Sequence, residues 1–252
     1  MSVFGEYAEY YNAFYGDKDY KKEAEQVDRL IRSFEKKRTE SIIDFGCGTG
    51  KHILEFIKMG YQCVGVDRSK DMIRIAKENA KSVPGVQFYE GDVRFVSLNQ
   101  KVDAVVSLFH VMSYQNTNED VRSTIRSAKH VLNGGGVFIF DAWYGPGVIT
   151  HKPEVRVKEV ENERHKLIRY AKPLIIESED KVIVNYEVLR IDKETETVKS
   201  IREAHHMRYF FRLEMEEYLN SEGFELVDNL DCTTLKKTDF DSWTCYFIAR
   251  LR

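Results

Sequence analysis

The sequence predicts an α/β protein: a doubly wound, mostly parallel sheet carrying an inserted antiparallel β meander. Three observations predict it. Short apolar runs alternate with amphipathic helical patterns between residues 41 and 141, as expected of parallel strands buried on both faces. The first run leads into Asp44-Phe-Gly-Cys-Gly-Thr-Gly50, a glycine-punctuated turn followed by a helix. That layout faces backbone N–H groups toward a ligand with no Cβ in the way. Helical periodicity is then lost over 155–210, where apolar and polar residues alternate between polar breaks.

Taken in order, residues 1–20 crowd Tyr7, Tyr10, Tyr11, Tyr15 and Tyr20 beside Phe4 and Phe14. The spacing puts Tyr7, Tyr11 and Phe14 on one helical face, either packed on the domain or forming a lid whose phenols touch a ligand. A charged helix is expected over 20–38, with Ala24, Val27, Leu30, Ile31 and Phe34 on one side. A strand at 41–45 is followed by a helix over 49–59 that ends at Gly60. Strand 62–66 runs into Asp67, and Ser69 reads as the N-cap of a helix through residue 80, with Asp71 in its first turn. Strand 86–89 precedes Gly91-Asp92; strand 102–108 and helix 118–131 follow. Asn133-Gly-Gly-Gly136 reads as a flexible turn before strand 137–141. The meander strands are expected at 155–160, 166–171, 181–191 and 197–210, then a helix at 213–222 and strands at 224–230 and 244–251. The expected organisation is an aromatic helical segment or lid (1–38), an α/β domain (39–144 with 211–252), and an inserted sheet over the active site (145–210).

Charge and composition narrow the function. With 38 Lys and Arg against 41 Asp and Glu, the net charge of −3 supplies no basic footprint for nucleic acid. No apolar run approaches the ~18 residues that span a bilayer. The start, Met1-Ser-Val-Phe-Gly-Glu-Tyr, is not a secretory one, so a cytoplasmic setting with Cys47, Cys63, Cys232 and Cys245 reduced is expected. No metal-ligand spacing occurs, and the adjacent His205 and His206 point to opposite faces of a strand.

The glycine spacing discriminates among nucleotides. NAD-binding turns use G-x-G-x-x-G, whereas here Gly46-x-Gly48-x-Gly50 is followed by Lys51 and His52; no G-K-[ST] of a P-loop follows either. Asp44-Phe-Gly-Cys-Gly-Thr-Gly50 resembles motif I of the class I S-adenosylmethionine-dependent methyltransferases, which are Rossmann-like. The resemblance implies that Asp44 organises the loop and the methionine ammonium, directly or through water, while the backbone of Gly46, Cys47 and Gly48 accommodates the methionine moiety. It makes Asp67 the ribose acid, a carboxylate able to accept from two vicinal hydroxyls. Asp92 becomes the acceptor for the adenine amine, with Arg68, Met72 and Val93 beside these acids. Leu108-Phe109-His110 flanks the methionine tail.

The chain's opening, Tyr-Ala-Glu-Tyr-Tyr-Asn at 7–12 and Lys18-Asp-Tyr20, is similar to that of the bacterial nucleotide-sugar N,N-dimethyltransferases, which finish TDP-linked amino sugars such as desosamine and mycaminose. Asp141-Ala-Trp143-Tyr144, the Glu203-x-His205 segment and the tail over 214–227 are similar too. This implies Tyr11 and Tyr20 near the methionine end, and Phe4, Trp143 and Tyr144 at the acceptor. Two positions depart from the pattern: the family's His after strand 4 falls on Tyr114, with His110 four residues earlier, and a C-terminal Arg has no match around Trp243-Thr244. The candidate bases are therefore His110 and Tyr114 by location, then His205 and His206, of which at most one can face the cleft. His52, His130, His151 and His165 read as surface or packed residues. Lys152, Arg156, Lys158 and Arg164 either neutralise a diphosphate or form a solvated strand face.

The expected function is methyl transfer from S-adenosylmethionine to the amine of a small molecule, foremost a nucleotide-linked amino sugar. Alternatives are an O- or N-methyltransferase of another metabolite, or a non-catalytic S-adenosylmethionine-binding protein. The expected partners are a small-molecule substrate and, through an exposed meander, a second copy of the chain in a homodimer, with no nucleic acid, membrane or metal.

Overall fold

The computed structural model describes residues 13–252. Helices and strands alternate through the first half: α1 (Tyr20–Phe34), β1 (Ser41–Phe45), α2 (Lys51–Lys58), β2 (Gln62–Asp67), α3 (Lys70–Asn79), β3 (Gln87–Glu90), β4 (Val102–Ser107), α4 (Asn118–Val131) and β5 (Leu132–Tyr144). A short helix, α5 (Gly145–Thr150), leads to β6 (Arg156–Glu161), β7 (His165–Ile176), β8 (Lys181–Asp192) and β9 (Val198–Phe210). The chain closes with α6 (Arg212–Ser221), β10 (Phe224–Asp231) and β11 (Thr244–Leu251).

Strands β3, β2, β1, β4 and β5 pair in that order and in parallel. Antiparallel β11 pairs with β5, and β10 with β11. Period-two alternation sends neighbouring residues to opposite faces. Ile43, Val105, Phe138, Phe140 and Phe247 pack with Val121 and Ile125 of α4 and Leu219 of α6. Their neighbours Ile42, Val106, Ile139 and Ile248 pack with Ala24 and Val27 of α1, Phe56 of α2 and Ile73 of α3. Buried strands with helices on both faces follow from this.

Strands β6 to β9 form the antiparallel meander, joined in sequence order. Only the end of β9 reaches the parallel sheet: Tyr209 and Phe210 lie opposite Trp143 and Tyr144 of β5. The meander therefore grows from the carboxyl end of β5, where the ends of β1, β2 and β4 also emerge.

Two local expectations are corrected. The glycine run at 133–136 is part of β5, not a flexible turn. The pairing of β4 with β5 shifts from Val102–Leu132 to Ala104–Val137, so the extra residues are absorbed as a bulge. Asn133 Nδ2 donates to Asp103 Oδ1 at 2.9 Å and ties that bulge to β4. Helix α5 was not anticipated, because Gly145 and Gly147 dilute the helical signal. Gly147 is needed there: a Cβ would lie 2.1 Å from the Ser242 carbonyl oxygen.

Among the described residues no helix is long and apolar enough to cross a membrane, and no group of three or more His, Cys, Asp or Glu is arranged to hold a metal ion. All four cysteines are unbonded.

Helix α4 begins with a capping box: Thr117 Oγ1 accepts from Asp120 N–H, and Asp120 accepts from the Thr117 N–H. Thr117→Ala is expected to lower the unfolding free energy by about 1 kcal/mol. Urea denaturation measures this, and an unchanged midpoint would show that the cap contributes nothing.

Candidate active site

The cleft lies at the carboxyl ends of the parallel strands, the usual place for ligands in open α/β sheets. Its floor is the glycine turn after β1. Gly46 N–H and Cys47 N–H both donate to the Val66 carbonyl, at 2.7 and 3.0 Å, which folds the turn back over the end of β2. Gly46 has φ +80°, and a Cβ on it would come within 2.4 Å of Val111 Cγ2. Gly48 has φ +53° and open space where a Cβ would be, so its backbone is accessible from the cleft.

Asp44 lies at the end of β1 under this turn and is 1% exposed. Neither carboxylate oxygen has a hydrogen-bond partner among the described residues. Burial, assisted by the Asp67 and Asp141 carboxylates, pushes its pKa up to about 8. A buried, unpaired carboxylate is costly and calls for a partner outside the chain. A cationic group fits it.

Asp67, ending β2, braces the same turn. Its Oδ2 accepts from Gly48 N–H at 2.9 Å and its Oδ1 from Ser69 N–H at 2.8 Å. Burial raises its pKa, and the two N–H donors hold it back. Each oxygen keeps a lone pair for a ligand hydroxyl. Asp92, beyond β3, is gripped by Arg94, whose Nε and Nη2 donate to its two oxygens at 2.9 and 2.6 Å. This hydrogen bonding lowers the Asp92 pKa. Arg94 Nη1 also donates to Asp120, so the α4 capping box is tied to the cleft.

The opposite wall belongs to the turn after β4 and to the meander. Phe109 and His110 both take left-handed backbone angles, φ 65° and 66°. Such a turn is strained for residues with side chains, and Asp141 fixes it by accepting from His110 N–H at 2.9 Å. His110 Nδ1 lies 3.0 Å from the other Asp141 oxygen, without hydrogen-bonding geometry. The one-turn helix Val111–Tyr114 follows. The Tyr114 hydroxyl lies 2.7 Å from His205 Nδ1, and His205 Nε2 lies 3.2 Å from Glu203 Oε2. From the meander, Val184 and Tyr186 of β8 face the cleft beside His205 and Met207 of β9. Burial and the neighbouring Tyr15 push the Tyr186 phenol up to about 12.

Of the residues singled out from sequence, Gly46, Gly48, Asp67, Arg68, Met72, Asp92, Val93, Leu108, His110, Tyr114, Trp143 and His205 line this one cleft. Asp44 lies beneath it. Cys47 contributes backbone to the turn but buries its side chain in the core. Tyr144 also sits in the core: it is a strand residue, so it points opposite to Trp143. Tyr20 lies outside the cleft, packed against His52 with ring centroids 5.0 Å apart. Phe4 and Tyr11 lie outside the described residues. His206 is exposed on the far face of β9. His52 pairs with Glu23, His151 with Asp241 and His165 with Asp192; none of the three lines the cleft. The cations suggested for a diphosphate are largely engaged elsewhere: Lys158 with Asp17, Lys152 with Glu177 and Arg164 with Asp192.

Sequence reasoning missed Arg94, Val111, Gln115, Val184, Tyr186 and Met207 as lining residues. Alternation groups Val184 with Tyr186 and His205 with Met207. Which face looks into the cleft is set by the β5–β9 pairing, which leaves no local signal.

Residues 42–136 match a family model described as a methyltransferase domain. The chain is 34% identical over 143 residues to a dTDP-3-amino-3,4,6-trideoxy-alpha-D-glucopyranose N,N-dimethyltransferase of Streptomyces venezuelae; the match covers 56% of this chain and 59% of that protein. It thus spans little more than half the length of that relative. In fold, the chain is similar to the sugar N-methyltransferase KedS8 of a Streptoalloteichus species, with TM-score 0.83, 22% identity, and 100% and 97% of the two chains covered. It is also similar to CalS10, an amino pentose methyltransferase from Micromonospora echinaspora solved with S-adenosylmethionine bound, with TM-score 0.77, 21% identity, and coverage of 100% and 99%.

Asp44 gives this site a pH signature. Its folded pKa of about 8 is above the ordinary carboxylate value, so the folded state holds a proton that the unfolded state has lost. Stability therefore falls as pH rises from about 4 to about 8, by at most about 1.4 kcal/mol per unit from this one group, and levels off above. Asp44→Asn is expected to flatten that decline in thermal melts of the ligand-free protein. Equal slopes in both proteins would mean that Asp44 titrates normally.

Proposed function

We propose, on the premise that this chain carries a methyltransferase domain on the class I methyltransferase fold, that it transfers a methyl group from S-adenosylmethionine to the amine of a small molecule. The observation that carries the reading is the unpartnered Asp44 carboxylate beneath a glycine turn, aligned with Asp67 and Asp92 at successive strand ends. In this reading Asp44 pairs with the methionine ammonium, Asp67 takes the ribose hydroxyls and Asp92 the adenine amine. Gly48 lets the backbone approach the ligand, and Arg68, Met72, Val93 and Leu108 line its path. Bound S-adenosylmethionine supplies an electrophilic methyl: the acceptor nitrogen's lone pair bonds to it and the C–S pair stays on sulfur. Alignment of donor and acceptor by the cleft supplies much of the rate. Residues 145–210 form the acceptor-facing layer over 39–144 and 211–252, in a cytoplasmic enzyme.

For the acceptor, we propose a nucleotide-linked amino sugar. The named activity of the Streptomyces venezuelae relative supports this class. A second reading, an amine that carries no phosphate, is favoured by the engagement of Lys152, Lys158 and Arg164 with acids of their own.

Isotope-labelled S-adenosylmethionine offered with TDP-amino sugars, and in parallel with free amino sugars and simple amines, separates these readings. Label transferred to a TDP-amino sugar is the expected result. Transfer confined to phosphate-free amines would overturn the nucleotide assignment. Binding of the donor with no transfer to any acceptor would leave a binding protein and overturn the enzyme. Asp67→Ala is expected to weaken donor affinity about 10- to 100-fold by calorimetry, the loss that follows from removing hydrogen bonds to a charged group. Unchanged affinity would remove Asp67 from the ribose.

A further inference from the structure

Three side chains at the acceptor wall form a continuous hydrogen-bonded path that neither a packing role nor the donor site requires. The Tyr114 hydroxyl lies 2.7 Å from His205 Nδ1, and His205 Nε2 lies 3.2 Å from Glu203 Oε2. Tyr114 and His205 line the cleft, whereas Glu203 stands behind them. The imidazole is 3% exposed and the carboxylate 9%. The path is held where Tyr114 meets β9. Asn116 Nδ2 donates to the carbonyls of Tyr114 and His206 at 2.9 and 3.0 Å, which clamps the turn after β4 to β9 beside His205. Ser113 Oγ accepts from Trp143 N–H at 3.0 Å and anchors the same turn to β5. The Tyr186 ring packs edge-on against the imidazole, with centroids 4.7 Å apart, and restrains its rotation.

Direction follows from the acceptors. The Glu203 carboxylate can only accept, so His205 carries its proton on Nε2, leaves Nδ1 free of hydrogen and receives the Tyr114 hydroxyl there. The other candidate, His110, has no such path: Asp141 spends its good hydrogen bond on the His110 backbone and holds a strained turn.

We propose that Tyr114, His205 and Glu203 form a proton relay that takes the proton from the acceptor amine. An amine protonated at neutral pH has no lone pair to offer. Its N–H proton passes to Tyr114 Oη as the Tyr114 hydroxyl proton passes to His205 Nδ1. The tyrosine ends neutral, the histidine ends as imidazolium facing the Glu203 carboxylate, and the amine regains its lone pair. No oxidant or further reactant is needed, and the imidazolium returns its proton to solvent after each turnover. Tyr114 is the group that touches the acceptor; Glu203 is a positioning residue acting through His205. The inference rests on the methyltransferase reading, but its geometry can be tested without an acceptor.

Among the described residues, His205 faces Tyr114 from the turn, Glu203 from its own strand and Tyr186 from β8, with Arg169 of β7 stacked beyond Tyr186 at 5.1 Å. Imidazole 15N shifts of the full-length protein report the tautomer directly. The expected result is a single Nε2–H tautomer in the wild type and a mixed population in Glu203→Gln, whose amide can donate as well as accept. His206→Gln, on the opposite face, should leave the His205 tautomer unchanged. An Nδ1–H tautomer in the wild type, or the same tautomer population in wild type and Glu203→Gln, would overturn the relay whether or not any acceptor is known. With an acceptor in hand, Tyr114→Phe and His205→Gln should each lower kcat about 100-fold with donor affinity retained, the double variant losing no more than either single one. Full kcat in Tyr114→Phe, or multiplicative losses in the double variant, would likewise overturn it.

Discussion

A carboxylate with no partner, at the end of the strand around which the sheet is wound, is the constraint on which the site depends. Asp44 stands on β1, flanked by β2 and β4, so its position is fixed by ladders on both sides. The turn above it is pinned to β2 through Val66 and Asp67, and its glycines have φ angles that side chains rarely adopt. A chain gains nothing in stability from burying such a group unpaired. Its persistence makes sense where a cationic ligand completes it, and the same ligand would then extend toward Asp67 and Asp92.

The second determinant is the short junction between β5 and β9. Two residue pairs, Trp143–Tyr209 and Tyr144–Phe210, hang the meander on the carboxyl edge of the parallel sheet. That junction turns one face of β8 and β9 toward the cleft and brings His205 to Tyr114. It makes the meander-side wall aromatic and largely apolar, while charged groups of the cleft gather at the other end, around Asp67, Arg68, Asp92 and Arg94. Under the proposed function, the end rich in hydrogen-bonding groups would hold the donor and the apolar end the acceptor, an arrangement suited to alkyl transfer.

Much of the fold is legible in sequence because its signals are local. The spans of β1, α4 and β11 follow from apolar runs, a cap and their boundaries alone. The positions of Asp44, Asp67 and Asp92 at strand ends are legible for the same reason. What is not legible depends on pairing. Strand β5 is longer at both ends than its apolar run, because a bulge absorbs its glycines and β9 extends its far end. With the strand expected to stop at Asp141, Trp143 and Tyr144 read as loop residues that share one site, whereas strand alternation separates them. Tyr20 reads as a cofactor residue, but α1 lies on α2 and turns that ring toward His52. The pairing of His205 with Tyr114 joins residues far apart in sequence, and neither strand nor turn announces it.

The most direct measurement is the proton balance of donor binding. At pH 7, below the value of about 8 set by burial, ligand-free Asp44 holds a proton that must leave when a cationic ammonium pairs with it. Titrating S-adenosylmethionine calorimetrically in buffers of different ionisation heat counts that proton. The account predicts close to one proton released by the wild type, none by Asp44→Asn, and a much weaker affinity in the variant. Equal affinity in the two proteins, or binding by the wild type at pH 7 with no proton released, would contradict it.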